Sequence, residues 1–184
     1  MLIETDRICL RRWTERDYSP FAKMNRNPNV MRYLGPLMSH QDSDAIINRQ
    51  IALMDKGEPA FWAAERRQDG SFIGCIGVKR VTFEAPFAPC FEIGWRLGEA
   101  YWGHGYATEG AKAALKLAFS QWDMKDIYSF TVLKNTQSQS VMKKIGMERE
   151  SDGDFNHPAL ALDDPLSAHV LYRIDKGKSA LIAG

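Results

Sequence analysis

The stretch YWGHGYATEG, residues 101–110, joins a strand-like segment to a helix-like segment through a glycine turn. Gly103 and Gly105 lack a Cβ atom, so the main chain can adopt positive φ angles and approach a ligand closely. A helix that begins at about Ala107 adds unpaired N–H groups and the positive end of its dipole. The turn therefore predicts a main-chain site for an anion such as a pyrophosphate. The residues predicted to form it are Gly103, His104, Gly105, Tyr106, Ala107 and Thr108.

The segments on either side of this turn have the periodicities of a strand and a helix. Upstream, apolar residues alternate with others over residues 91–97, which is typical of a β-strand. Downstream, apolar residues recur at helical spacing and would give a helix over residues 107–121 one buried face. A glycine turn alone is equally compatible with an ordinary tight turn, but this order of elements favours the anion site.

The rest of the chain combines strand and helix patterns. Strands are predicted over residues 2–12, 60–66, 70–80, 127–132 and 167–175, and helices over residues 14–26, 39–56 and 138–145. Asp69 and Gly70 predict a hairpin turn, and Gly57 and Gly146 end helices. Helices inserted among strands predict an α/β (α+β) fold, with a mixed sheet and helices on both of its faces.

The length and composition are those of one ordinary globular domain. We predict a single domain over residues 1–176 and a flexible tail over residues 177–184. The 24 basic and 23 acidic residues give a net charge of +1, which argues against the broad positive field of a nucleic-acid-binding protein and leaves a local basic patch open. No apolar run approaches the roughly 18 residues of a membrane span, and no secretion signal is visible. The prediction is a cytoplasmic protein with neither a nucleic-acid nor a membrane partner.

The cysteine and histidine patterns predict neither a disulfide framework nor a metal site. Cys9, Cys75 and Cys90 are odd in number and far apart, and Cys75 lies in an apolar strand pattern typical of a core residue. His157 and His169 have no second pair of ligands at a suitable spacing, so we expect them to form hydrogen bonds in a terminal hairpin. No metal is predicted.

Residues 102–107, WGHGYA, fit the pattern Gln/Arg-x-x-Gly-x-Gly/Ala except at Trp102. That pattern is the acetyl-coenzyme A signature of the GCN5-related N-acetyltransferases (GNAT), which this chain resembles. Trp102 and the continuation Tyr-Ala-Thr-Glu, residues 106–109, are similar to the RimJ/RimL-type branch, whose members include ribosomal-protein N-terminal acetyltransferases. Further segments resemble the same branch in the same order: residues 3–12, 15–17, 135–138, 144–147, 157–158 and 169–172.

The resemblance implies a GNAT-type central sheet of about seven mostly antiparallel strands, flanked by helices. Two neighbouring parallel strands, here those beginning at Phe91 and Ile127, would splay apart, and the thioester arm of acetyl-coenzyme A would pass between them. The main chain of Trp95 and Leu97 would pair with that arm as if it were an added strand. Asn135 resembles the family's asparagine, whose amide holds the pantetheine.

Transfer of an acetyl group to an amine needs a base and a proton for the leaving thiolate. Glu92, the only carboxylate of its strand, is the candidate base; the alternative is a structural glutamate that pairs with Arg96 or caps a neighbouring amide. Met142 occupies the place where the wider family often has a tyrosine acid, so that role cannot be transferred. Ser138 resembles a serine that hydrogen-bonds the leaving sulfur, and the alternative is that it caps a helix.

The predicted activity is acetyl-coenzyme A-dependent N-acetyl transfer directly to a primary amine, without a cysteine intermediate. The acceptor is a protein N-terminus or, alternatively, a small-molecule amine, since fold and cofactor site say little about the second substrate. A coenzyme A-binding sensor without chemistry is the rival from another class. A homodimer is an expectation from the family only.

Overall fold

The computed structural model describes residues 2–122 and 124–181. The strands are β1 (Leu2–Glu4), β2 (Ile8–Arg11), β3 (Phe61–Arg66), β4 (Ser71–Arg80), β5 (Phe91–Leu97), β6 (Asp126–Val132), β7 (Glu148–Arg149), β8 (Phe155–Asn156) and β9 (Ala168–Asp175). The helices are α1 (Tyr18–Asn25), α2 (Pro28–Met31), α3 (His40–Asp55), α4 (Tyr106–Gln121), α5 (Thr136–Lys144) and α6 (Lys176–Leu181).

In the described residues these strands form one nine-stranded sheet in the order β1-β2-β3-β4-β5-β6-β9-β7, with β8 paired to β9. Every pairing is antiparallel except that of β5 with β6. The predicted class, a mixed and mostly antiparallel α/β sheet flanked by helices, is confirmed. The strand count exceeds the predicted seven by two, the short strands β7 and β8, which both pair with β9.

The two parallel strands meet only at their beginnings. Phe91 pairs with Ile127 and Glu92 with Tyr128, and the ladder ends there. The N–H of Gly98 donates to the Ile73 carbonyl of β4 at 2.9 Å. Because alternate residues of a strand point their main-chain groups to opposite edges, Trp95 and Leu97 turn theirs away from β4 and toward the opening. The predicted splay between these strands is confirmed.

Two layers of helix cover the sheet. On one face α4 packs its small residues against β5, and Ile93, Leu97, Ala111 and Ala114 belong to one buried cluster. On the opposite face α1 and α3 cover the middle strands, with Phe21 among the buried residues of a second cluster. Side chains of β5 alternate between these faces, so Glu92 and Arg96 leave the sheet on the side of α1 and away from α4.

Two local predictions differ from the structure. The strand predicted over residues 2–12 is a hairpin whose turn, residues 5–7, contains neither glycine nor proline. The single domain and the flexible tail over residues 177–184 stay predictions; α6 covers the start of that tail, and residues 182–184 lie outside the described residues. Helix α5 begins at Thr136, because the Asn135 side chain accepts a hydrogen bond from the Ser138 N–H. Ser138 is therefore not the helix cap.

Candidate active site

A cleft of about 1310 Å³ opens where β5 and β6 separate. All the predicted site residues line it except His104: Glu92, Trp95, Leu97, Gly103, Gly105, Tyr106, Ala107, Thr108, Asn135 and Ser138. The side chain of His104 is exposed, and its carbonyl accepts a hydrogen bond from Arg7 at 2.8 Å. One continuous surface therefore connects the glycine turn with the candidate base.

The glycine turn has the backbone that an anion site requires. Gly103 and Gly105 have φ angles of +77° and +82°, in the left-handed region that favours glycine. Helix α4 begins at Tyr106, one residue before the predicted start, and its cap residue Gly105 offers no side-chain hydrogen bond. The first N–H groups of the helix consequently have no side-chain cap and point toward the cleft end of the turn.

An ion pair from a distant part of the chain braces this turn. The Glu109 carboxylate accepts hydrogen bonds from the Arg7 N–H at 2.9 Å, the Arg7 Nε at 2.6 Å and the Thr5 hydroxyl at 2.6 Å. Burial acts to raise the pKa of Glu109, but these hydrogen bonds outweigh it and lower the pKa. Neither Arg7 nor Glu109 could be assigned a role from the sequence, because their partnership spans about 100 residues and follows no local spacing.

Trp102 occupies the position at which the family pattern has Gln or Arg. Its indole N–H donates to the Leu97 carbonyl at 2.9 Å, which ties the end of β5 to the turn. Trp102 thus acts as a structural brace for the turn. The Leu97 carbonyl predicted to bind the cofactor arm already has an intramolecular partner.

Glu92 is a mostly buried carboxylate with one ionic partner among the described residues. Its side chain is 13% exposed, and its carboxylate lies 2.9 Å from the Lys79 ammonium, its cross-strand neighbour on β4. Burial raises the pKa of Glu92, and Lys79 counteracts part of that rise. The predicted alternative partner was wrong, because Arg96 donates to Asn25 instead. A carboxylate held in this way can accept a proton in the cleft.

Ser138 and Asn135 belong to one hydrogen-bonded group that lines the same cleft as Glu92. The Trp95 indole N–H donates to the Ser138 hydroxyl oxygen at 3.1 Å, which leaves the hydroxyl proton available for donation. The Asn135 side-chain oxygen accepts a hydrogen bond from the Ser138 N–H, and the Asn135 NH₂ donates to the Thr131 hydroxyl at 2.9 Å. Met142 is buried in the core, so it replaces the family's tyrosine without supplying a proton.

Aromatic rings form the end of the cleft beyond Glu92, on the same face of the sheet. His157 lies 4.7 Å from Phe83 and 5.3 Å from His169, measured between ring centroids. Burial lowers the pKa of both histidines, which favours their neutral forms. The sequence predicted the hairpin that carries them but missed the cluster, because its other members come from separate segments: Phe87, Phe130 and Phe155.

The cysteines do not offer a nucleophile. All three are buried and unbonded, and only Cys75 lines the cleft. Burial raises the pKa of Cys75 to about 11, so its thiol stays protonated near neutral pH. The placement of Cys75 in the core confirms its sequence interpretation.

The described residues contain neither a cluster of metal-ligating side chains nor a membrane-spanning helix. Over residues 2–122 and 124–181, no three side chains of His, Cys, Asp or Glu lie close enough together to hold a metal ion. Within the same part of the chain, no helix is both long and apolar enough to cross a membrane.

Solved acetyltransferases have this fold. The chain superposes on an acetyltransferase of the GNAT family from Bacillus anthracis with a TM-score of 0.79 and 24% identity, over 96% of this chain and 99% of that one. It superposes on RimJ of Mycobacterium smegmatis, solved in complex with CoA-disulfide, with a TM-score of 0.75 and 20% identity, over 95% and 87% of the two chains.

Sequence comparison assigns the family. The acetyltransferase (GNAT) domain family matches residues 7–148. The uncharacterized N-acetyltransferase YnaD of Bacillus subtilis (strain 168) is 30% identical over 154 residues, which cover 82% of this chain and 84% of that protein. The chain belongs to the GNAT family and is an acetyltransferase.

Proposed function

We propose that this enzyme transfers the acetyl group of acetyl-coenzyme A directly to a primary amine in the cleft between β5 and β6. The observation that carries the proposal is the single cleft that joins the glycine turn to Glu92. The turn's N–H groups fit a pyrophosphate, and the separated strands leave room for an extended arm. RimJ of Mycobacterium smegmatis, which has this fold, is a coenzyme A-binding relative that supports the same cosubstrate.

The proposed reaction has a complete proton balance. The amine nitrogen attacks the thioester carbonyl carbon, a C–N bond forms and the C–S bond breaks. Glu92 accepts the proton that the amine loses, either directly or through water. The Ser138 hydroxyl donates a hydrogen bond to the departing sulfur, which takes up a proton from water, and Glu92 then returns its own proton to the solvent. Direct transfer accords with the protonated, buried Cys75.

The RimJ/RimL-type branch, with a protein N-terminal amine as acceptor, is our narrower proposal. A small-molecule amine is the alternative, and a cytoplasmic location and a homodimer remain predictions. Met142 in place of the family's tyrosine keeps a coenzyme A sensor as the rival. A thiol-release assay with panels of N-terminal peptides and small amines separates these functions. A sensor would bind acetyl-coenzyme A and release no thiol with any acceptor.

Replacing Ser138 by Ala is expected to lower kcat about tenfold with little change in the acetyl-coenzyme A affinity, because one hydrogen bond to the leaving sulfur is lost. The measurement is steady-state thiol release. Ser140→Ala, on the same helix, is the matched control and should keep the wild-type kcat. Equal rates for Ser138→Ala and the wild type would remove Ser138 from the mechanism.

Replacing Lys79 by Met is expected to move the acid limb of the kcat/KM profile to higher pH. The base works in its ionised form, and loss of the ammonium 2.9 Å away raises the pKa of Glu92 further. On the acid limb the rate at a given pH should therefore fall and recover as the pH rises. Lys79→Arg, which keeps the positive charge, is the control. An unshifted profile for Lys79→Met would contradict Glu92 as the titrating base.

A further inference from the structure

The charges that line the cleft are unbalanced. Only two of the lining residues are carboxylates, Glu92 and Glu99, whereas six are cationic: Arg32, Arg49, Lys79, Arg96, Lys134 and Lys144. Both carboxylates are engaged, Glu92 by Lys79 and Glu99 by the amides of Asn27 and Asn29 at 2.8 and 2.7 Å. The cleft thus has a positive surplus, part of which the phosphates of the cosubstrate would balance, so the surroundings of each cation decide which ligand it serves.

Arg96 is the cation of this set with the most informative surroundings. Its Nη1 donates to the Asn25 oxygen at 2.7 Å, and the guanidinium lies 5.9 Å from the Phe21 ring centroid. No carboxylate pairs with it among the described residues. Desolvation lowers the pKa of Arg96, so the surroundings oppose its charge. A partly desolvated cation without a counter-charge points to an anion supplied by a ligand.

The remaining guanidinium N–H groups are accessible to such a ligand. No buried side-chain nitrogen or oxygen of the described residues lacks a hydrogen-bond partner. The hydrogen bonds of Arg96 to protein atoms all come from Nη1, so its Nε and Nη2 reach the solvent of the cleft. A guanidinium can bind a carboxylate through two parallel hydrogen bonds.

Arg96 and Glu92 stand at the two ends of a floor formed by the Phe61 ring, and the Lys79 ammonium that pairs with Glu92 lies 5.7 Å from the centroid of that ring. They project from the same face of β5, four residues apart, which is about 13 Å along an extended strand. Gly94 lies between them, and a Cβ atom there would be 2.9 Å from the Phe61 ring. Gly77 on β4 also contacts this ring, so two glycines let Phe61 lie across the strands. The surface runs from a base, over an aromatic ring, to a free cation.

We propose that the acceptor carries its primary amine at one end, beside Glu92, and an anionic group at the other end, bound by Arg96, with an apolar segment on Phe61. This assignment rests on the proposed function and names its substrate class. An α-amino acid is too short to span the floor, because its amine and carboxylate share one carbon. An ω-amino acid and a peptide N-terminus followed by an acidic residue both have the required chemistry.

The cosubstrate phosphates do not account for Arg96. Their proposed site is the N-terminus of α4, and α4 packs on the face of β5 that carries Ile93 and Leu97. Arg96 leaves the strand on the opposite face and contacts α1 through Asn25. Its guanidinium therefore belongs to the acceptor side of the cleft.

Matched acceptors that differ only in charge test this proposal. The small set is 6-aminohexanoate, 6-aminohexanamide and 1,6-diaminohexane, and the peptide set is Ala-Gly-Glu, Ala-Gly-Gln and Ala-Gly-Lys, each with an amidated C-terminus so that only the third side chain differs in charge. We expect kcat/KM for the carboxylate of at least one set to exceed that of its neutral partner about tenfold, because a charge-assisted hydrogen bond is lost in the amide. The set that shows the preference distinguishes a small acceptor from a peptide.

The Arg96→Gln enzyme should lose this preference, chiefly through a higher KM for the anionic acceptor, while Arg96→Lys keeps part of it. The exposed Arg26, next to Asn25 and outside the cleft, gives the control Arg26→Gln, which should keep the full preference. Thermal unfolding identifies a variant that merely fails to fold. Calorimetry of each acceptor with the coenzyme A complex measures the same preference without turnover.

Three results would overturn the assignment. They are equal kcat/KM and binding for the carboxylate and its amide, a preference for the diamine, and an Arg96→Gln enzyme whose defect lies in acetyl-coenzyme A affinity. Each of these results would still be compatible with acetyl transfer by this enzyme. The proposed function fails separately, if the wild-type protein neither binds acetyl-coenzyme A nor releases thiol with any amine.

Discussion

Replacing Glu92 by Gln is expected to lower kcat by about 100-fold or more, while the Kd for acetyl-coenzyme A stays within about twofold of the wild type. A positioned general base contributes about 10²- to 10⁴-fold to a rate, and Gln has nearly the same shape but cannot accept the proton. The acid limb of the kcat/KM profile should also disappear, because the titrating carboxyl is gone. Steady-state thiol release across pH and calorimetry with acetyl-coenzyme A measure these effects.

Glu99→Gln is the matched control, since Glu99 is the other carboxylate that lines the cleft. Its oxygens accept hydrogen bonds from Asn27 and Asn29, and one amide oxygen can still do so. This control should retain most of the wild-type kcat. If the Glu92→Gln enzyme is as active as the Glu99→Gln control, Glu92 is only the structural partner of Lys79 and not the base.

The second large effect is expected at the glycine turn, where replacing Gly105 by Val should weaken acetyl-coenzyme A binding about 100-fold or more. Gly105 has a φ of +82°, a region that a β-branched residue adopts only with strain. Its Cβ would also lie 3.3 Å from the Arg7 guanidinium that braces the turn. A shifted turn no longer directs its N–H groups at one pyrophosphate, so affinity falls together with kcat/KM.

Gly57 provides the control for backbone strain alone. It follows α3 with a φ of +70°, a Cβ there would meet nothing within 4 Å, and it does not line the cleft. Gly57→Val should therefore lower the thermal unfolding temperature but leave the Kd for acetyl-coenzyme A unchanged. If Gly105→Val binds acetyl-coenzyme A as tightly as Gly57→Val does, the pyrophosphate does not sit on this turn.

Local patterns in the sequence predicted the parts of the fold that depend on neighbouring residues. Each of three patterns lies within a short stretch of consecutive residues: the alternation over β5, the glycines of the turn and the helical spacing of α4. The splay between β5 and β6 came from the family resemblance, because no residue pattern shows where a ladder ends. The hairpin at residues 5–7 was missed because Asp6 is its one typical turn former, with neither glycine nor proline beside it.

The charge partners in the site could not be predicted, because they depend on which strands pair. Glu92 was expected to meet Arg96 on its own strand, yet it meets Lys79, its register partner on β4. Arg96 in turn reaches Asn25 of α1, 71 residues away. The positive surplus of the cleft appears only after folding, since the whole chain has a net charge of only +1.

The most direct test is a crystal structure of the protein with acetyl-coenzyme A. We expect pyrophosphate oxygens within hydrogen-bond distance of main-chain N–H groups between Gly103 and Thr108, and an arm that runs between β5 and β6. The thioester should then face Glu92 and Ser138. A cosubstrate whose diphosphate lies away from this turn, or whose arm bypasses the opening between the two strands, would contradict the account.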